Sequence, residues 1–214
     1  MAAPLERVLS LVAPPLCWSC GGASVPRDPL CGGCRRSLRR LGPEPVYLAG
    51  LQVWAPLAYE GPARALVRGL KYRSASALAG PMAAQMAANA PPGLLRAPAT
   101  LVPVPLHPAR LRRRGFNQAE LLAMALAHRT GLAVCDCLRR RGAATRQVGR
   151  DRHERLAGPA GTIVQGRGRP VPGQVLLVDD VATTGATLSA CAAALRGCGA
   201  RSVAAVAFAR TPGR

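Results

Sequence analysis

Residues 175–187 read VLLVDDVATTGAT, and their types could do chemistry together. Val175, Leu176, Leu177 and Val178 form a continuous apolar run, the pattern of a strand buried on both faces of a parallel sheet. Asp179 and Asp180 end that run. Ala182, Thr183, Thr184, Gly185, Ala186 and Thr187 then supply small side chains, hydroxyls and one glycine, ahead of an alanine-rich helix over 188–196. Strand, acidic pair, small loop and helix together place a ligand at the carboxyl end of a strand and at a helix N-terminus. A tight loop of small residues can turn its N–H groups onto a phosphate, with threonine hydroxyls as further donors. Two carboxylates would repel that phosphate, so they serve another part of the ligand, either vicinal hydroxyls or a hydrated Mg²⁺. A sugar phosphate with free hydroxyls satisfies both halves. A buried strand with an acidic N-cap would explain one Asp and one Thr, but not the whole pattern.

A second set of reactive side chains lies near the N-terminus. Cys17 and Cys20 form one C-x-x-C pair and Cys31 and Cys34 another, ten residues apart. Two such pairs this close are a tetrahedral Zn²⁺ signature, each turn presenting two thiolates. An iron–sulfur centre and a redox pair are the alternatives; the closed four-sulfur set favours structural zinc. Arg35, Arg36, Arg39 and Arg40 follow, suited to an anionic thiolate cluster, an acidic partner or a solvated basic face. A third set is basic. Residues 107–118 carry His107, Arg110, Arg112, Arg113 and Arg114 between a strand read over 101–105 and a helix over 118–129. Arginine forks there suit a multiply charged anion, and a solvated basic loop is the alternative reading.

The elements that must hold these groups follow from pattern. Helices are expected over 62–72, where Pro62 suits a first turn, and over 76–89, stopped by Pro91-Pro92-Gly93. Residues 51–59, broken by Pro56, read as an edge strand or extended segment, and 42–45 as a linker. Further strands are expected over 132–138, 175–178 and 203–208. Cys135 and Cys137 read as small buried residues, as do Cys191 and Cys198. Residues 139–168 form a long, polar, basic stretch of the kind that is functional or disordered.

Composition bounds the rest. The chain has 214 residues, 49% apolar but only 3% aromatic, so its core must be built from Ala, Val and Leu. The net charge is +19, almost all of it arginine, with Lys71 the sole lysine. Such an excess favours polyanions such as nucleic acid; a GC-rich coding sequence also enriches Arg and Ala. No stretch reaches the ~18 apolar residues of a membrane span. Leu5, Val8, Leu9 and Val12 recur at helical spacing, and this N-terminal stretch lacks the basic region and cleavage site of a signal peptide. A cytoplasmic protein is expected, where paired cysteines favour metal over disulfide.

The run at 175–187 closely resembles the phosphoribosyl pyrophosphate (PRPP) signature of the type I phosphoribosyltransferases. By that resemblance Asp179 and Asp180 are the catalytic pair and contact the ribose 2- and 3-hydroxyls. Ala182, Thr183, Thr184, Gly185, Ala186 and Thr187 cradle the 5-phosphate, and Mg²⁺ is held mainly by the substrate's own pyrophosphate and hydroxyls. The basic loop occupies the pyrophosphate-binding position, implicating Arg110, Arg112, Arg113 and Arg114, and 139–168 occupies the place of the mobile loop over the reacting centre. The four-cysteine knuckle, Leu70-Lys71-Tyr72, the Pro-Val-Pro strand, Arg113-Arg114-Gly115-Phe116-Asn117-Gln118 and the PRPP signature, in this order, resemble the ComF family. Its members are bacterial phosphoribosyltransferase-like proteins linked to DNA uptake in natural competence. Thr145, Gln147 and Arg155 match that family's loop pattern only loosely.

The resemblance implies an α/β fold, a type I phosphoribosyltransferase-like parallel sheet flanked by helices at 46–214, behind a small zinc-binding module at 1–45. Two functions are compatible with it. One is transfer of a phosphoribosyl group from PRPP to an acceptor, a pentosyl glycosyltransferase reaction. The other is a non-catalytic module that senses PRPP or a nucleotide, or binds single-stranded DNA, among competence proteins.

Overall fold

The structure is a computed structural model, and it describes residues 15–72, 76–141, 163–166 and 169–212. The expected N-terminal helix around Leu5 to Val12 and the residues Thr145, Gln147 and Arg155 lie outside the described residues. The chain forms a mixed α/β fold around a mostly parallel sheet. Its strands are β1 (Val46–Leu48), β2 (Leu51–Trp54), β3 (Leu57–Ala58), β4 (Thr100–Pro103), β7 (Gln174–Ala182) and β8 (Ser202–Arg210). The order is β1-β2-β8-β7-β4, with β3 also paired to β8. Only β1 runs antiparallel, in a hairpin with β2. A separate two-stranded ribbon joins β5 (Leu138–Arg140) to β6 (Ile163–Gln165).

Alternation along the strands splits the core in two. Leu176, Val178, Leu101, Val206 and Phe208 face one side. They pack there with helices α2 (Gly61–Tyr72), α3 (Ala79–Asn89) and α5 (Gln118–Thr130). Val175, Leu177, Val102, Val53 and Ala205 face the other, against α6 (Ala186–Gly197) and the ribbon. Both faces of β7 are therefore buried, as its unbroken apolar run requires. With few aromatic residues, the packing is carried by Leu, Val, Ala and the buried Met82 and Met86.

Several local expectations change. β7 does not stop at the acidic pair but continues to Ala182, because β8 supplies ladder partners beyond it: Asp179 opposite Ala207 and Ala182 opposite Arg210. Residues 132–138 do not form a full strand; Val134 makes one parallel bridge to Leu101, held by Cys135 N–H donating to the Leu101 carbonyl. Part of the basic loop is a short helix, α4 (Pro108–Arg114), with His107 Nδ1 accepting from Ala109 N–H at 3.2 Å and Gly115 closing it at φ 81°. Cys137 and Cys191 are buried as expected, and burial pushes both thiols up to about 12. Cys135 is only half-buried and Cys198 is exposed, since it caps the solvent end of α6.

The cysteine-bearing module packs on this core. It contains one short helix, α1 (Gly32–Arg36), N-capped by Cys31. Cys17, Leu30 and Leu38 belong to the same apolar cluster as Leu66, Val67 and Leu70 of α2. Residues 39–41 run beside β3, with Ala58 N–H donating to Arg39 and Leu41 N–H donating to Pro56.

Candidate functional site

A cleft of about 370 Å³ opens at the carboxyl ends of β4 and β7. Its floor is Asp179 and Asp180. The alternation that buries Val178 on one face and Leu177 on the other aims these carboxylates apart, Asp180 toward the α2 side and Asp179 toward the α6 side. Asp180 is 3% exposed at its side chain, and its Oδ2 lies 2.6 Å from Lys71 Nζ. The contact is an ion pair without hydrogen-bond alignment, so that buried oxygen has no hydrogen-bond donor among the described residues. Asp179 Oδ1 accepts from the N–H of Asp180 at 2.8 Å. Asp179 is deeply set in the protein yet half-open to the cleft. Burial, and then the neighbouring Asp180 carboxylate, hold its pKa well above the usual carboxylate range.

The loop after β7 forms a smaller recess of about 50 Å³, lined by Asp179 and by residues 181–188. Asp179, Val181, Thr183 and Thr187 line both hollows, so the two are adjacent. Gly185 caps α6 at φ 78° with no side-chain cap, and Thr184 Oγ1 accepts from Ala186 N–H at 3.4 Å. Gly185 itself offers the first turn of α6 no side-chain acceptor, and only the Ala186 N–H is met, at long range, by Thr184, an arrangement open to an anion. Glycine is required here twice over. Its φ is left-handed, and a Cβ would sit 2.5 Å from Leu48 Cβ and 2.9 Å from the Leu48 carbonyl. The β1–β2 hairpin is thus pressed directly against the loop.

The opposite wall is basic. Arg110, Arg113 and Arg114 from α4 line the cleft, and Arg112 does not. Asn117 fixes this wall: it caps α5 by accepting from Ala119 N–H at 3.1 Å and donates to the Val104 carbonyl at 3.0 Å, beyond the end of β4. Arg114 hydrogen-bonds Gln118 and lies over the ring of Tyr72, 5.6 Å from its centre. Arg140 enters from the ribbon, with its Nε buried and without a hydrogen-bond partner among the described residues.

Every residue expected to contact the sugar phosphate, except Arg112, therefore borders one of two adjacent hollows. Sequence reasoning did not single out Lys71, Tyr59, Tyr72, Gln118 or Arg140 as site residues. Lys71 carried a signal. A chain that uses arginine almost everywhere keeps one lysine, at the position where a compact ammonium meets a buried carboxylate.

The four cysteine sulfurs of the N-terminal module lie within 4.8 Å of one another, with Cys20 and Cys31 Sγ 3.6 Å apart. A tetrahedral zinc with Zn–S near 2.3 Å separates its sulfurs by about 3.8 Å, so the cluster could hold zinc. Three of the four arginines after it are engaged elsewhere: Arg35 with Asp28, Arg39 with Glu60 at 3.5 Å, and Arg40 donating to Asn89 at 2.8 Å.

Fold and cleft together define a mixed α/β protein with a cleft at the carboxyl edge of a mostly parallel sheet and a four-cysteine cluster near its N-terminus. No family model matches the chain. It is 35% identical to Competence protein ComFC of Streptococcus pneumoniae (strain ATCC BAA-255 / R6) over 102 residues, 48% of this chain and 44% of that protein. It is 34% identical to Competence protein F of Haemophilus influenzae (strain ATCC 51907 / DSM 11121 / KW20 / Rd) over 113 residues, 51% of this chain and 49% of that protein. The match spans about half the length of these curated relatives, and it supports a ComF-family relationship. Among the described residues no helix is long and apolar enough to cross a membrane.

Proposed function

We propose that the cleft binds PRPP with Mg²⁺ and transfers or recognises its 5-phosphoribosyl group, in a role connected with competence. The observation carrying this reading is that two adjacent hollows, sharing Asp179, Val181, Thr183 and Thr187 in their walls, bring together a carboxylate pair, a small loop at a helix N-terminus and three arginines. These are the three chemistries that PRPP presents: vicinal hydroxyls, a monophosphate and a pyrophosphate. The competence names of the two relatives favour the biological setting.

In the reaction, the C1–oxygen bond to pyrophosphate breaks as C1 gains oxocarbenium character, and a bond from C1 to the acceptor forms. Asp179 and Asp180 hold the ribose hydroxyls, residues 182–187 the 5-phosphate, and Arg110, Arg113 and Arg114 the departing pyrophosphate. Asp180 already faces Lys71, which fits a Mg²⁺ carried by the ligand's oxygens rather than by a protein carboxylate cage. Zinc belongs to Cys17, Cys20, Cys31 and Cys34, where it would fix the fold of the module.

The arginine-lined wall also favours a second reading, in which a PRPP- or nucleotide-binding module without turnover contacts single-stranded DNA. Pyrophosphate release from PRPP separates the two. Release stimulated by a nucleobase or nucleoside acceptor supports transfer; PRPP binding without release supports recognition alone.

A further inference from the structure

The helix that carries Lys71 is seated at both ends on the cysteine-bearing module. Near its start, Arg39 pairs with Glu60, the residue just before α2. Near its end, the ring of Trp18, held between Cys17 and Cys20, lies over Gly69. A Cβ at Gly69 would stand 2.8 Å from Trp18 Cε3 and 2.8 Å from Leu78 Cδ1, so the missing side chain is what admits the indole. Two and three residues further on come Lys71, paired with Asp180, and Tyr72, under Arg114. Tyr72 lines both the main cleft and the hollow it shares with Trp18, Ser19, Arg68 and Gly69.

We propose that the Cys17–Cys20 turn, through Trp18 on Gly69, is a positioning device for Lys71 and Tyr72, so that metal occupancy of the four-cysteine cluster sets the geometry of the cleft. Order in the knuckle fixes Trp18. Trp18 fixes the last turn of α2, and that turn fixes the ammonium against Asp180. The proposal rests on the cleft being the ligand site; its first test does not.

Hydrogen exchange of full-length protein is compared for the zinc-loaded form, the chelator-stripped form, Trp18→Ala and Trp18→Phe, with metal analysis of each. Expected is exchange faster by on the order of tenfold within 61–72 in the stripped protein and in Trp18→Ala, with 118–130 unchanged. Trp18→Ala keeps its zinc, and Trp18→Phe, which keeps a ring over Gly69, restores protection. Binding of PRPP with Mg²⁺ then weakens about fivefold or more in Trp18→Ala and recovers in Trp18→Phe. Unchanged protection of 61–72 in the stripped protein and in Trp18→Ala overturns the coupling, as does loosening spread equally over 61–72 and 118–130. If wild type does not bind PRPP at all, the reading of the cleft fails, while the exchange data still decide whether the knuckle positions α2.

Discussion

At the scale of single residues, Asp180 and Lys71 hold each other's charge where water reaches little of either. Lys71→Ala would leave a carboxylate 3% exposed without its counter-ion. Breaking a buried pair costs several kcal/mol, and Lys71 is a fifth open to solvent, so a loss of about 2–3 kcal/mol is expected. Lys71→Ala with Asp180→Asn should recover most of it, a coupling that a double-mutant cycle in urea measures directly. Asp179 acts in the opposite sense. Its pKa is raised in the folded state, so its contribution to stability is fully present below the ordinary value of 3.8 and is lost as pH rises through the folded value. Asp179→Asn should therefore be neutral to slightly stabilising at pH 7.5 relative to wild type, and less favourable at pH 4, by denaturant titration at both pH values. A variant equally destabilised at both would show that the carboxylate makes native contacts the structure does not contain.

At the scale of elements, the β7–loop–α6 unit is the part most nearly readable from sequence, because an apolar run bounded by charges and followed by a small loop leaves few alternatives. The acidic pair reads as the end of a strand over 175–178, since carboxylates resemble a strand end until the partner strand is known, whereas β7 runs on to Ala182. The β1–β2 hairpin was not legible: its turn uses Ala49 at φ 46° and Gly50 at φ 76°, without the Asn-Gly or Asp-Gly signal of such turns. That hairpin nonetheless builds the site, through Leu48 against Gly185. Gly185→Ala should lose about 2–4 kcal/mol, the sum of a left-handed backbone and a collision that neither backbone can avoid. Chemical denaturation checks the loss, and Leu48→Ala in the same background should not return it, since the colliding Leu48 Cβ and carbonyl remain in alanine. Helix α4 was hidden by its arginines, although His107 and Pro108 are a usable start signal. The gathering of Lys71, Tyr59 and Arg140 at one cleft depends on tertiary packing across the chain, which periodicity does not encode.

At the scale of the whole molecule, a net charge of +19 and an arginine-lined cleft predict association with single-stranded DNA that weakens steeply with salt. With 3% aromatic residues, few rings are available to stack on bases, so little sequence preference is expected. Fluorescence anisotropy with homopolymer oligonucleotides from low to physiological salt reads both. Absence of binding at low salt would leave codon composition as the origin of the charge. The cleft itself is tested most directly by thermal unfolding with PRPP and Mg²⁺, in wild type and in the double variant Asp179→Asn, Asp180→Asn. A ligand at a hundred times its Kd stabilises by about 2.7 kcal/mol, which for a chain of this size raises Tm by roughly 5–10 °C. The account predicts that rise for wild type and its loss in a double variant that still unfolds cooperatively. No shift in wild type, or an equal shift in both proteins, would contradict it.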